Sequence, residues 1–138
     1  MRITYLRDSS PTSRTCPTLY LTDRATFIVQ GKLVVDPRIV RSFFLLHNEA
    51  IVEVPARLLV EVAETVAFPG QRAGLSLVRA IPRHPWSWSV SATSRDSFIV
   101  RGLKVADAEA LAAMDVPDDE TAVEVPRELL SEISADAA

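Results

Sequence analysis

Shifting the 138-residue chain by 71 positions lays Thr22–Glu64 over Thr93–Ala135 without a gap, and sixteen of the 43 pairs are identical. The identities include Arg24/Arg95, Phe27-Ile28-Val29/Phe98-Ile99-Val100, Gly31/Gly102 and Asp36/Asp107. The run Glu49…Val52-Glu53-Val54-Pro55 returns as Glu120…Val123-Glu124-Val125-Pro126, and Leu58-Leu59 returns as Leu129-Leu130. A gapless match of this density is a tandem duplication, and each local reading must then hold twice.

Both copies give the same elements. Thr26–Val35 and Ser97–Ala106 are rich in β-branched and aromatic residues and predict strands. Each contains one glycine, a sign of a bulge or of close backbone approach. Asp36 and Asp107 suit a helix N-cap, where a carboxylate accepts orphan amide hydrogens, and Pro37 suits the first helical position. Helices are expected over Pro37–Leu46 and Ala108–Met114, the second ended by the turn residues Val116-Pro117-Asp118-Asp119. Short strands follow at Ala50–Val54 and Thr121–Val125, valines inward and Glu53 or Glu124 outward. Pro55 and Pro126 then open closing helices that carry the leucine pairs.

With Leu19–Leu21 and Trp88–Ala92 as leading strands, the unit reads ββαβα. A unit of roughly 45–50 residues has a marginal core of its own. The expected architecture is therefore α+β, with two ββαβα repeats packed as a pseudo-two-fold dimer sharing one core. Two independent beads are the alternative. The domain layout is an N-terminal arm and leading strand (1–21), repeat one (22–64), a basic Trp-containing linker (65–92) and repeat two (93–135).

Charge is unevenly placed. The formal net charge of −3 hides a linker with three arginines and no acidic residue, and a second repeat with four basic and ten acidic residues. Within the linker, Leu75–Ile81 and Trp86–Val90 each suit a strand, the second with strict Trp/Ser alternation. Arg72, Arg79, Arg83 and His84 interleave with Trp86 and Trp88, a mixture of cations and rings that suits single-stranded nucleic acid. The plainer reading has the tryptophans capping the core and the arginines offsetting acidic repeat two. Arg24/Arg95 and Glu53/Glu124 are the charged pairs that suggest either a structural ion pair or a repeated recognition site.

Signatures of catalysis are absent from the sequence. The two histidines, His47 and His84, and the single Cys16 lie in unrelated contexts. No phosphate-binding loop, dinucleotide fingerprint or nucleophile elbow occurs. Asp115, Asp118, Asp119 and Glu120 lack the alternation and central glycine of a calcium loop. Neither metal nor cofactor is expected. One cysteine gives no intrachain disulfide. No window reaches the roughly 18 apolar residues of a membrane helix, and the expectation is a cytoplasmic protein.

The pattern T-D-R-x-[TS]-[FY]-x-V-x-G…[LV]-P-D-x-E-x-x-V-E-[VI]-P-x-x-L-L resembles a small actinobacterial family whose own activity is not established. Its members usually carry one copy and are encoded beside XRE-type helix-turn-helix regulators. Ser94–Leu130 matches best; the first copy keeps Thr22-Asp23-Arg24, Gly31 and Val52-Glu53-Val54-Pro55 but has lost the Pro-Asp turn. The resemblance implies a regulatory partner rather than a reaction. A fainter likeness is to AbrB-type swapped-hairpin transcription factors, in which the order of strand, glycine, strand, short helix, acidic turn and strand is similar. In that reading Arg24, Lys32, Arg95, Arg101 and Lys104 would meet DNA.

The expected function is a non-catalytic regulatory or protein-interaction module, monomeric or homodimeric, that modulates a transcription regulator or toxin-like partner. Candidate interaction residues are Arg24, Arg95, Glu53, Glu124, Asp118, Asp119 and Glu120. Candidate nucleic-acid contacts are Arg72, Arg79, Arg83, Trp86, Trp88, Arg101 and Lys104. An AbrB-like DNA-binding factor is the alternative, and an unrecognised small enzyme the third reading.

Overall fold

A computed structural model describes residues 1–8, 17–43, 45–59, 71–72, 75–83, 86–94, 97–114, 116–126 and 129–130, excepting the side chains of 6–8, 56–57, 71–72, 75–83 and 86–87. The fold is α+β, a mostly antiparallel sheet with two short helices. Its strands are β1 (Ile3–Asp8), β2 (Thr18–Thr22), β3 (Thr26–Leu33), β4 (Glu49–Pro55), β5 (Gln71–Arg72), β6 (Leu75–Arg83), β7 (Trp86–Ala92), β8 (Ser97–Lys104) and β9 (Glu120–Pro126). Helix α1 (Pro37–Phe43) joins β3 to β4, and α2 (Ala108–Ala113) joins β8 to β9.

The strands run in the order β1-β2-β3-β4-β8-β7-β6-β5, with β9 bridging β3 and β8. Strand β3 pairs with β9 over seven positions from Thr26↔Pro126 to Lys32↔Glu120. Strand β8 pairs with β4 over seven positions from Ser97↔Pro55 to Leu103↔Glu49. Adding 71 to Thr26 and subtracting 71 from Pro126 turns the first register into the second. Within each copy the contact is short: Lys32↔Glu53 and Leu33↔Val52 in one, Leu103↔Glu124 and Lys104↔Val123 in the other. Together β3, β9, β8 and β4 close a ring of strands.

Strand alternation gives this ring two faces. Inward lie Phe27, Val29, Val52, Val54, Phe98, Val100, Val123 and Val125, joined by Leu58, Leu59, Leu129 and Leu130 in one buried cluster. Outward, α1 lays Ile39 and Phe43 on Ile51 and Ile99, and α2 lays Ala110 and Met114 on Ala122 and Ile28. Each helix therefore covers one strand of its own copy and one of the other. The smaller residues under α2 are supplemented by Met1, Ile3 and Tyr20.

Gly31 and Gly102 sit where the ring turns its corners. A Cβ at Gly31 would lie 2.6 Å from Val54 Cγ1 and 2.7 Å from the Glu53 carbonyl oxygen. A Cβ at Gly102 would lie 2.7 Å from the Glu124 carbonyl oxygen and 2.8 Å from Val125 Cγ1. Close backbone approach explains both glycines.

Several elements depart from expectation. Strands β3 and β8 end at Leu33 and Lys104, two residues early, and α1 ends at Phe43. The closing helix of the first copy is a single 3-10 turn at Ala56–Leu59, and Leu129 and Leu130 are helical in the second. Asp107 caps α2 as expected, accepting from the Ala110 amide at 3.1 Å, and Asp36 accepts from the Arg38 amide at 3.0 Å. The stretch 65–92 contributes β5, β6 and β7, of which β6 and β7 agree with the strands read at Leu75–Ile81 and Trp86–Val90 and run to Arg83 and Ala92. Strand β6 pairs with β7 (Ser76↔Ala92, Leu77↔Ser91, Arg79↔Val90) much as β1 pairs with β2 (Thr4↔Leu21, Tyr5↔Tyr20, Arg7↔Leu19), with an irregularity at the same step. The strand pattern thus repeats beyond the region of sequence identity. No helix among the described residues is long and apolar enough to cross a membrane.

Candidate functional site

Of the retained charged residues, Arg24 and Glu124 meet across the two copies. Arg24 Nη2 donates to Glu124 Oε1 at 3.1 Å, a pair with an exposed guanidinium and hence worth about 0–1 kcal/mol. The hydroxyl of Thr26 donates to the other oxygen of Glu124, and Ser97 Oγ donates to Glu53 Oε2 at 2.6 Å. Behind them, Thr22 Oγ1 lies 2.6 Å from Thr26 Oγ1, and Thr93 Oγ1 lies 2.6 Å from Ser97 Oγ. Both glutamates are therefore held from the opposite copy by a hydroxyl at the start of its strand. Arg95 lies outside the described residues.

A second matched position is less visible in the sequence. Arg101 Nη2 donates to Glu49 Oε1 at 2.6 Å, and its Nη1 donates to the Phe43 carbonyl at 2.7 Å. Glu49 also accepts from the Leu46 amide at 3.0 Å. At the equivalent place Gln30 Nε2 donates to Glu120 Oε1 at 2.8 Å. Glu49 and Glu120 are both buried. Pro117 stands where Leu46 does and has no N–H to give. Sequence reasoning singled out Glu120 and Arg101 but not their partners Gln30 and Glu49; the retained Glu49/Glu120 pair was the available signal.

Asp118 and Asp119 are exposed. Their turn has the same backbone as the one in the first copy. The Glu120 amide donates to the Pro117 carbonyl at 3.0 Å, and the Glu49 amide to the Leu46 carbonyl at 2.9 Å. The Leu33 amide donates to the Asp119 carbonyl at 3.0 Å, and the Lys104 amide to the Asn48 carbonyl at 2.9 Å. Leu46-His47-Asn48 and Pro117-Asp118-Asp119 are thus the same turn with different surfaces.

The N-terminus of α2 is acidic, with Asp107 at its cap and Glu109 in its first turn. The Met1 ammonium lies 3.0 Å from Asp107 Oδ2 and 2.7 Å from Glu109 Oε1. Hydrogen bonds to Glu109 and Asp107 raise the ammonium pKa above its ordinary 8.0. The hydrogen bond from that ammonium, then the one from the Ala110 amide, lowers the Asp107 pKa below its ordinary 3.8. No group of three or more metal-ligating side chains gathers among the described residues.

The candidate nucleic-acid residues do not converge. Trp88 is buried in the main hydrophobic cluster, so its ring is not a stacking surface. Arg101 is spent on Glu49 and Phe43, its side chain 14 % exposed. Lys104 and Lys32 are exposed. Arg72, Arg79, Arg83 and Trp86 lie on β5, β6 and β7, their side chains outside the described set; His84, Cys16 and Asp115 lie outside the described residues altogether.

No protein-family model, curated protein or solved structure matches this chain.

Proposed function

We propose that the chain is a covalent pseudo-two-fold dimer of two unequal repeats sharing one core, and that it acts as a non-catalytic regulatory module in the cytoplasm. Its partner is a protein, a helix-turn-helix regulator or one of its companions, recognised through the acidic turn of repeat two. One observation carries this reading. Two turns with matching backbone hydrogen bonds present Leu46-His47-Asn48 on one repeat and Pro117-Asp118-Asp119 on the other. A scaffold that repeats its frame and alters one surface suits a partner that reads one half only. Retained charges such as Arg24, Glu53 and Glu124 support the frame, which leaves Asp118 and Asp119 as the exposed acidic residues of the candidate set.

Affinity capture from the native host at low salt tests this, comparing the wild-type chain with an Asp118→Lys/Asp119→Lys variant. One stoichiometric protein, retained by the wild type and lost by the variant and at raised salt, is expected. No partner above background, or equal retention by both chains, contradicts the reading.

A second reading, DNA binding of AbrB type, is favoured by the interleaving itself, since β3 pairs mainly with the other copy's β9 rather than with its own β4. Phosphate contacts give a steep salt dependence, so a gel shift on random duplex near about 50 mM salt that weakens as salt rises would support it. No shift removes it.

A further inference from the structure

The contacts that join the two repeats all run from repeat one to repeat two. The long ladders are β3–β9 and β4–β8, whereas each repeat pairs its own strands across the ring at only two positions. Arg101 meets Glu49, Gln30 meets Glu120, Thr26 meets Glu124 and Ser97 meets Glu53. The inner faces of Phe27, Val29, Val52 and Val54 are completed by Phe98, Val100, Val123 and Val125. A single repeat left to itself would expose that whole face to water.

We propose that this interface also closes between molecules: two chains exchange repeats, so that repeat one of each pairs with repeat two of the other, and the partner is a second copy of this chain. The proposal rests on the pseudo-two-fold reading above. Every ladder, ion pair and core contact between repeats is the same in the exchanged dimer as in the closed monomer, so contact energy does not separate the two. Connectivity does. A partner on the same chain is present at an effective concentration on the order of millimolar, which favours the monomer in dilute solution. During refolding at high concentration a chain can meet a foreign repeat first, and exchange between identical elements is a low-cost route to a dimer. Once formed, the dimer reverts only by opening both ladders and the core, so it persists on dilution.

The buried Arg101–Glu49 pair makes the exchange readable. In Glu49→Arg, two cations face each other in the closed monomer; in Arg101→Glu, two carboxylates do. Each variant alone should lose stability. Mixed one to one, unfolded and refolded together, they can exchange: one ring then carries the native pair and the other carries it reversed. The expected result is a heterodimer as the main folded species by size exclusion with light scattering, unfolding at higher denaturant than either variant alone. In parallel, the wild type refolded at rising concentration should give a rising dimer fraction.

If each variant loses stability but the mixture gives no dimer, and the wild type stays monomeric at every refolding concentration, exchange is overturned while the shared interface stands. If neither variant loses stability, the pairing between repeats fails, and the exchange proposal with it. Variants too unstable to fold singly still decide the matter, because only the mixture is expected to recover a folded dimer.

Discussion

The guanidinium of Arg101 lies 2.6 Å from the carboxylate of Glu49, joining the second copy's glycine-containing strand to the first copy's returning strand. At the matching position the neutral amide of Gln30 serves Glu120. Positions matched at an offset of 71 thus hold one ion pair and one amide–carboxylate hydrogen bond. Both Glu49 and Arg101 have little access to water, and removing either partner would strand the other charge.

Arg101→Ala is therefore expected to cost about 3–5 kcal/mol, the usual penalty for leaving a buried charge without its partner. Arg24→Ala, at an exposed pair, should cost about 0–1 kcal/mol. Urea unfolding of both variants checks the contrast. Equal small losses would place Arg101 in a solvated environment.

Gly31→Ala and Gly102→Ala should each destabilise by about 1–3 kcal/mol, since the added methyl meets a carbonyl oxygen of the crossing strand and that backbone must shift. The two losses should be similar, because the obstructing atoms, Glu53 O with Val54 and Glu124 O with Val125, are equivalent. Thermal unfolding of both variants measures this. A loss at one glycine alone would break the equivalence.

Ala25 has φ of 59° in the turn between β2 and β3. A residue with a Cβ is strained there by about 1–2 kcal/mol. Ala25→Gly relieves that strain and gives back part of the gain through greater freedom of the unfolded chain. A net stabilisation of about 1 kcal/mol is expected in the denaturation midpoint, and a loss of stability would show that the turn does not hold this conformation.

The contacts of the Met1 ammonium with Glu109 and Asp107 predict losses at both ends of the pH range. The Asp107 pKa is lowered from 3.8, so its contribution is present above that value and fades as pH falls through the lower folded value. The Met1 ammonium pKa is raised from 8.0, so its contribution is complete below 8.0 and fades as pH rises through the higher folded value. Asp107→Asn keeps a capping oxygen for the Ala110 amide and should flatten the acid limb of a plot of urea midpoint against pH, while the alkaline limb shrinks only in part because Glu109, the larger cause, still holds the ammonium. An acid limb unchanged in the variant would remove Asp107 as its source.

The runs Phe27-Ile28-Val29, Gly31 and Val52-Glu53-Val54-Pro55, matched in the sequence at an offset of 71, fall at core, corner and paired-strand positions of the sheet. Capping by Asp36 and Asp107 was legible from side-chain chemistry. Strands over Leu75–Ile81 and Trp86–Val90 were legible from their composition and alternation. Their pairing in places like those of β1 and β2 was not, because main-chain hydrogen bonds leave no side-chain identity to detect. For Trp88 the sequence offered a core cap and a nucleic-acid platform, because alternation with serine fixes a face without saying whether that face is wet; its place in one buried cluster with Val90 decides for the core. Gln30 as the partner of Glu120 was hidden because it differs from its counterpart Arg101, and a search for retained residues passes over a pair solved differently in the two halves.

The account depends most on strands of one copy pairing with strands of the other. Backbone NOEs in an isotope-labelled sample report this directly, since facing residues of an antiparallel ladder lie about 4.5–5.5 Å apart at Cα. Cross-strand NOEs are predicted between Phe27 and Val125, between Val29 and Val123, and at the matching positions between Phe98 and Val54 and between Val100 and Val52. A spectrum in which Phe27 and Val29 show NOEs only to residues of the first copy, and Phe98 and Val100 only to residues of the second, would contradict the shared core and everything argued from it.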